Sequence, residues 1–257
     1  MAQIVLPYTL QSLAHQLQSY KPPNPPCLMD KEEEQEQRSL GFEPIHQKRE
    51  RRAAVLICLF EGEEGNLRVI LTKRSKNLST HSGEVALPGG KREEGDVDDS
   101  ATALREAMEE IGLDPSLICV VAVLEPFISQ HLLEVVPVVG LLAQRAVFKP
   151  LLNTAEVDCI FDVPLEMFLK EENHTIEERE WMDWKFVIHL FEFKSEQENF
   201  IICGLTARIL IRVASIIYQR PPPFKQHLPD FQRLQASFIN PNSLCNINST
   251  GEETCGK

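Results

Sequence analysis

Between Leu87 and Leu113 the chain reads LPGGKREEGDVDDSATALREAMEEIGL: two glycines, a crowd of acids, then a segment of helical composition. Glu106, Glu109 and Glu110 stand at i, i+3 and i+4, a spacing that puts side chains within one turn of a helix. Carboxylates that close repel one another, and the only cation among them is Arg105, four residues before Glu109. A merely solvated acidic face would interleave lysines at i+4 to offset the repulsion. Three oxygen donors at this spacing instead suit a hard divalent cation, Mg2+ or Mn2+. Such an ion would also supply local positive charge to a chain whose formal net charge is -12 over 257 residues. Arg105 is assigned to orienting the glutamates. Upstream, Gly89 and Gly90 would let the backbone approach a ligand closely.

A helix has to hold these carboxylates. Asp98, Asp99 and Ser100 all suit its N-cap, and Gly112 suits the position just past its end. At ~100° per residue, Leu104, Ala107, Met108 and Ile111 share one stripe and the three glutamates lie opposite. One face is therefore expected to pack on a sheet and the other to present the acids. The runs AAVLICLF (53–60), LRVILTKRS (67–75), SLICVVAVLEPFI (116–128), VVPVVGLLA (135–143) and FVIHLFEF (186–193) supply strands. YTLQSLAHQLQSY (8–20) reads as a short amphipathic helix broken by KPPNPP. GLTARILIRVASIIYQR (204–220) reads as a long helix stopped by Pro221, Pro222 and Pro223. Strands dominate and helices flank them, which is the pattern of an α/β (α+β) fold with a mixed sheet between helices. The expected organisation is an N-terminal helix and flexible linker over 1–49, with a solvated acidic stretch at 30–38. One domain over 50–222 follows, then a polar, poorly ordered tail over 223–257.

The acidic balance argues against a nucleic-acid partner, which needs basic surface. No apolar run approaches the ~18 residues of a membrane span, so no membrane partner is expected. Seven cysteines, an odd number without a C-x-x-C, read as reduced thiols. The first twenty residues hold no Lys or Arg, so no secretory signal or transit peptide is apparent. A cytoplasmic location is expected, with a mitochondrial one open.

Gly90 together with REAMEEIGL (105–113) resembles the Nudix box, G-x5-E-x7-R-E-U-x-E-E-x-G-U with U aliphatic. Its second half matches at every defined position, with Ala107 as the aliphatic. Gly90 lies one residue further from Arg105 than in the common box, and the upstream acid falls among Asp96, Asp98 and Asp99. LTKRSKNLSTHSGEVALPGG (71–90) is similar to the coenzyme A pyrophosphatase signature, LLTxRSx3Rx3Gx3FPGG. Leu71, Thr72, Arg74, Ser75, Gly83, Pro88, Gly89 and Gly90 match it; Ser79 replaces an Arg and Leu87 a Phe. EVDCIFDVPLEMFL (156–169) and GLTARIL (204–210) are similar to plant members of that branch.

The resemblance covers about residues 50–222. It implies a Nudix-type α/β/α sandwich and metal-dependent hydrolysis of the pyrophosphate in coenzyme A or its thioesters, giving 3′,5′-ADP and 4′-phosphopantetheine. The alternatives are an ADP-ribose or NADH pyrophosphatase, and a non-catalytic Nudix-like nucleotide-binding module. Such modules usually lose a box glutamate, and here none is lost. In the enzyme reading, Glu106, Glu109 and Glu110 hold Mg2+ or Mn2+, which lowers the pKa of a bound water. A carboxylate takes that water's proton: Glu110 first, Glu109 as competitor, Glu156 third. Lys73, Arg74, Lys91 and Arg92 flank the glycine loop and are candidates for the substrate phosphates. His81 and His189 read as surface or core residues rather than ligands.

Overall fold

The computed structural model describes residues 7–20, 52–129, 133–181, 184–196 and 198–226. The acidic stretch 30–38, Lys48, Arg49 and Arg51, and the tail beyond 226 lie outside the described residues. In chain order the elements are α1 (Tyr8–Gln18), β1 (Arg52–Glu61), β2 (Leu67–Arg74), β3 (Val85–Ala86), β4 (Gly89–Lys91), α2 (Asp99–Ile111), β5 (Ile118–Val123), β6 (Phe127–Ile128), β7 (Glu134–Leu142), β8 (Val157–Pro164), β9 (His174–Trp181), β10 (Trp184–Lys194), β11 (Asn199–Cys203) and α3 (Gly204–Tyr218), with 3-10 turns at Pro115–Leu117 and Leu165–Leu169.

The central strand is β1. It runs parallel to β7 and antiparallel to β2 and β4. Strands β5 and β6 pair with β7, and β3 and β8 pair with β2, all antiparallel. One parallel pair among antiparallel ones makes the sheet mixed. A smaller antiparallel sheet, β11-β10-β9, stands beside it.

Successive strand residues face opposite ways, so a strand covered on both sides must be apolar throughout. That is why β1 lacks alternation. Ala54, Leu56, Cys58 and Phe60 pack with α2, while Ala53, Ile57 and Leu59 pack with α1 and α3. The result is the α/β/α sandwich expected.

Helix α1 shares the second of these cores. Leu10, Leu13, Ala14 and Leu17 are buried, and Gln16 Nε2 donates to the carbonyls of Ile216 and Ile217 in α3, each at 3.0 Å. The boundary drawn near residue 50 therefore separates stretches of chain but not cores. An isolated 11-residue helix is marginal in water, and its stripe is stabilised only against a partner. The apolar run 116–128 divides into β5 and β6, because Leu124 N–H turns to the Pro137 carbonyl at 2.9 Å.

Candidate active site

Helix α2 begins where the acids crowd, and each of three aspartates has its own task. Asp98 is the N-cap, its carboxylate accepting from Ala101 N at 2.8 Å. Asp99 takes both arms of Arg52, at 2.7 and 2.8 Å. Asp96 is buried and accepts from Arg105 Nε and Nη2, each at 3.0 Å. It also accepts from Thr102 Oγ1 and Glu93 N, each at 2.9 Å. The bond from Arg105 is the main reason its carboxyl lies well below the usual carboxylate range. Of the three upstream acids, Asp96 is thus the one joined to the box arginine; the part played by Thr102 had no signal in the sequence. The helix ends at Gly112, whose φ of 68° is left-handed and favours glycine.

The buried arc of α2 differs from the expected stripe. Ala103, Ala107, Glu110 and Ile111 face inward, whereas Met108 is 48% exposed. The small side chains of Ala103 and Ala107 let the helix lie close on the sheet and carry Glu110 down with them. Glu110 is only 3% exposed, Glu106 stands at the rim, and the Glu109 side chain is 55% exposed. The three carboxylates therefore do not share one open face. Arg105 Nη1 draws Glu109 to 3.0 Å and Glu106 to 3.1 Å, while Glu110 turns inward to accept from Gly89 N at 3.2 Å. As these side chains stand, no three His, Cys, Asp or Glu among the described residues converge as a metal-binding cluster.

The glycine pair serves the protein before any ligand. Gly89 has a φ of 155° and pairs with Val55; a Cβ there would run into the Ala54 carbonyl and the Val55 main chain. At Gly90 a Cβ would fall on the Glu106 carboxylate. The close approach expected toward a ligand is, in the structure, an approach to β1 and to Glu106.

Burial pushes Glu110 up to about 7, against the Gly89 N–H and the Arg74 charge; Glu106 and Glu156 push the same way as burial. Glu106 is also raised, again mainly by burial, with Glu109 and Glu156 adding and Arg105 opposing. Glu156 lies in the turn directly before β8. Carboxylates, one buried and one at the rim, that hinder one another's ionisation and offer oxygen alone fit a hard divalent cation in their chemistry.

The four flanking cations differ in availability. Lys73 is ion-paired with Glu198 and lies over the Phe200 ring. Arg92 Nη2 donates to the carbonyls of Asp96 (3.1 Å) and Val97 (3.0 Å), bracing the acid loop. Lys91 is exposed, and its carbonyl accepts from Arg105 at 3.0 Å. Arg74 has a buried Nε without a hydrogen-bond partner among the described residues, and its charge acts on Glu110. His81 sits 2.9 Å from Glu84, and His189 is buried 2.9 Å from His174.

Residues 50–201, more than half of the chain, match the sequence family described as the NUDIX domain. The chain is 55% identical over 235 residues to "Nudix hydrolase 22, chloroplastic" of Arabidopsis thaliana, covering 87% of this chain and 78% of that one. It is 62% identical over 182 residues to "Nudix hydrolase 15, mitochondrial" of the same plant, covering 71% and 64%, so it spans under two thirds of that relative. It is 40% identical over 163 residues to "Peroxisomal coenzyme A diphosphatase NUDT7" of Mus musculus, covering 63% and 68%.

Proposed function

The chain belongs to the Nudix family of hydrolases, and we propose that within it this protein hydrolyses the pyrophosphate of coenzyme A or its thioesters with Mg2+ or Mn2+. The observation that carries the reading is the buried Glu110, held by the Gly89 N–H on the same helix as Glu106, with the Arg74 charge acting on it. The segment 71–90 and the coenzyme A diphosphatase among the relatives support the substrate.

Glu106, Glu109 and Glu110 would hold the ion, Glu109 by leaving its contact with Arg105. The bound ion supplies electrophilic stabilisation of phosphate oxygens and a more acidic water. Arg105, anchored on Asp96, fixes the direction from which Glu106 and Glu109 approach. Gly89 N–H fixes one oxygen of Glu110, leaving the other for the attacking water. Glu110, buried and held by the Gly89 N–H, is the base in this reading, its carboxylate taking the proton of the attacking water. Arg74 pairs with a substrate phosphate and offsets charge that builds on it; Lys91 and Arg92, which follow the glycine pair, are further candidates for the phosphates. Hydrolysis breaks one P–O bond of the diphosphate: the water oxygen joins one phosphorus, and the other phosphate leaves. Coenzyme A yields 3′,5′-ADP and 4′-phosphopantetheine.

The substrate is a free small molecule. The two plant relatives carry chloroplast and mitochondrial names, so the reading extends to an organelle as well as the cytoplasm. No helix among the described residues is long and apolar enough to cross a membrane.

A panel of coenzyme A, dephospho-coenzyme A, ADP-ribose and NADH, with products identified by mass, tests the assignment. Coenzyme A should have the highest kcat/KM. Faster turnover of ADP-ribose would move the protein to the ADP-ribose and NADH pyrophosphatases.

A further inference from the structure

Glu156 lies outside α2, yet its surroundings tie it to the helix glutamates. Asn153 N–H donates to the Glu110 carbonyl at 2.9 Å, and Leu151 N–H donates to that of Ile111 at 3.0 Å. These are carbonyls that the end of a helix leaves without an intrahelical partner. The Asn153 carbonyl in turn accepts from Glu156 N at 2.9 Å and Val157 N at 2.8 Å. Its side-chain Oδ1 accepts from Ala155 N at 3.2 Å, closing an Asx turn. From the other side Ser75 N–H donates to the Glu156 carbonyl at 2.8 Å, and Arg74 pairs with Val157 in the β2–β8 ladder. The main chain of Glu156 is thus fixed between the residue that follows Arg74 and the end of the glutamate helix.

We propose that Asn153 is a positioning residue that holds Glu156 in register with Glu110 and Arg74, so that Glu156 works with Glu106 and Glu110 as one group of carboxylates. Two independent links meet at Asn153: its main chain grips the helix end, and its side chain closes the turn that leads into Glu156. The Glu156 charge acts on both Glu106 and Glu110, as this placement requires.

The inference rests on the reading of Glu106 and Glu110 as working groups, and a double-mutant cycle on the full chain separates the two. Glu156→Gln should lower kcat by ~10²-fold and Asn153→Ala by ~10-fold, with KM within ~2-fold and the melting temperature nearly unchanged. Because Asn153 acts through Glu156, the double variant should be no slower than Glu156→Gln alone. Asn153→Asp keeps an oxygen for Ala155 N–H and should restore kcat to within ~3-fold of the parent. Should Asn153→Ala fail to fold, Asn153→Ser takes its place in the cycle. Multiplying losses in the double variant, or full activity in Glu156→Gln while Glu110→Gln is inactive, would overturn this inference alone. Full activity in Glu110→Gln and Glu106→Gln as well would overturn the reading it rests on.

Discussion

Replacing Glu110 by Gln should separate stability from chemistry in a way that depends on pH. Burial raises this carboxyl from 4.5 to about 7 in the folded protein. At ~1.4 kcal/mol per unit, the difference corresponds to about 3 kcal/mol. Between 4.5 and 7 the folded state keeps a proton that the unfolded chain has released. Stability therefore falls as pH rises through that window and stays low above it. Gln cannot ionise and escapes this loss. Its oxygen can still accept from Gly89, but its amide NH2 enters the site unmatched, which costs ~1–3 kcal/mol. In chelator, Gln should be the less stable form near pH 5 and the more stable form near pH 8, by ~1 kcal/mol or ~2–4 °C in melting temperature. Urea denaturation at several pH values measures the difference directly. Millimolar Mn2+ at pH 8 should reverse the order by binding the folded wild type. A stability difference that stays constant between pH 5 and 8 would refute the claim that Glu110 is buried and reluctant to ionise.

Other perturbations probe the surrounding shell. Excess chelator should abolish turnover and Mg2+ or Mn2+ should restore it; full activity in chelator would exclude a metal role. Asp96→Asn should lower kcat by loosening Arg105 and should cost ~1.5–3 kcal/mol at neutral pH. Because the Asp96 pKa is depressed on folding, that stability is present above the ordinary value of 3.8 and disappears as pH falls below it; a deficit unchanged near pH 2 would show that the charge is irrelevant. Ile111→Ala should cost ~2–5 kcal/mol, since Ile111 is fully buried, and Met108→Ala under ~0.5–1 kcal/mol. Equal losses on thermal melts would restore the stripe in which Met108 faces the sheet.

The ends of α2 were legible to within a residue or two because capping is local chemistry: Gly112 ends the helix as the sequence indicates, and Asp98 is the N-cap among the three candidates Asp98, Asp99 and Ser100. The run 53–60 was legible as a strand because both its faces are buried. The arrangement of the carboxylates was not. A helical wheel weights large apolar residues, whereas the contact with the sheet centres on Ala103 and Ala107, which place Glu110 inside. Strand β9 hid behind its sequence, HTIEEREW, which carries the charges of an edge strand rather than an apolar face. The choice among Asp96, Asp98 and Asp99 needs the path of the loop, which no spacing supplies. Asn153 has a faint local signal, an Asx residue opening a turn, but its hold on the Glu110 carbonyl joins elements more than forty residues apart. The ion pair of Lys73 was not legible because its partner, Glu198, sits in the turn between β10 and β11, in a sheet that sequence patterning only half revealed.

The central claim is that Glu110 belongs to a site that splits a nucleoside diphosphate, coenzyme A in particular. Wild type and Glu110→Gln should be compared side by side with coenzyme A and Mg2+, following 3′,5′-ADP and 4′-phosphopantetheine by mass. The wild type should release both products in equal amounts, and the variant should do so at least ~10²-fold more slowly, about 2.7 kcal/mol of barrier. Product release by the variant within a few-fold of wild type would contradict the account.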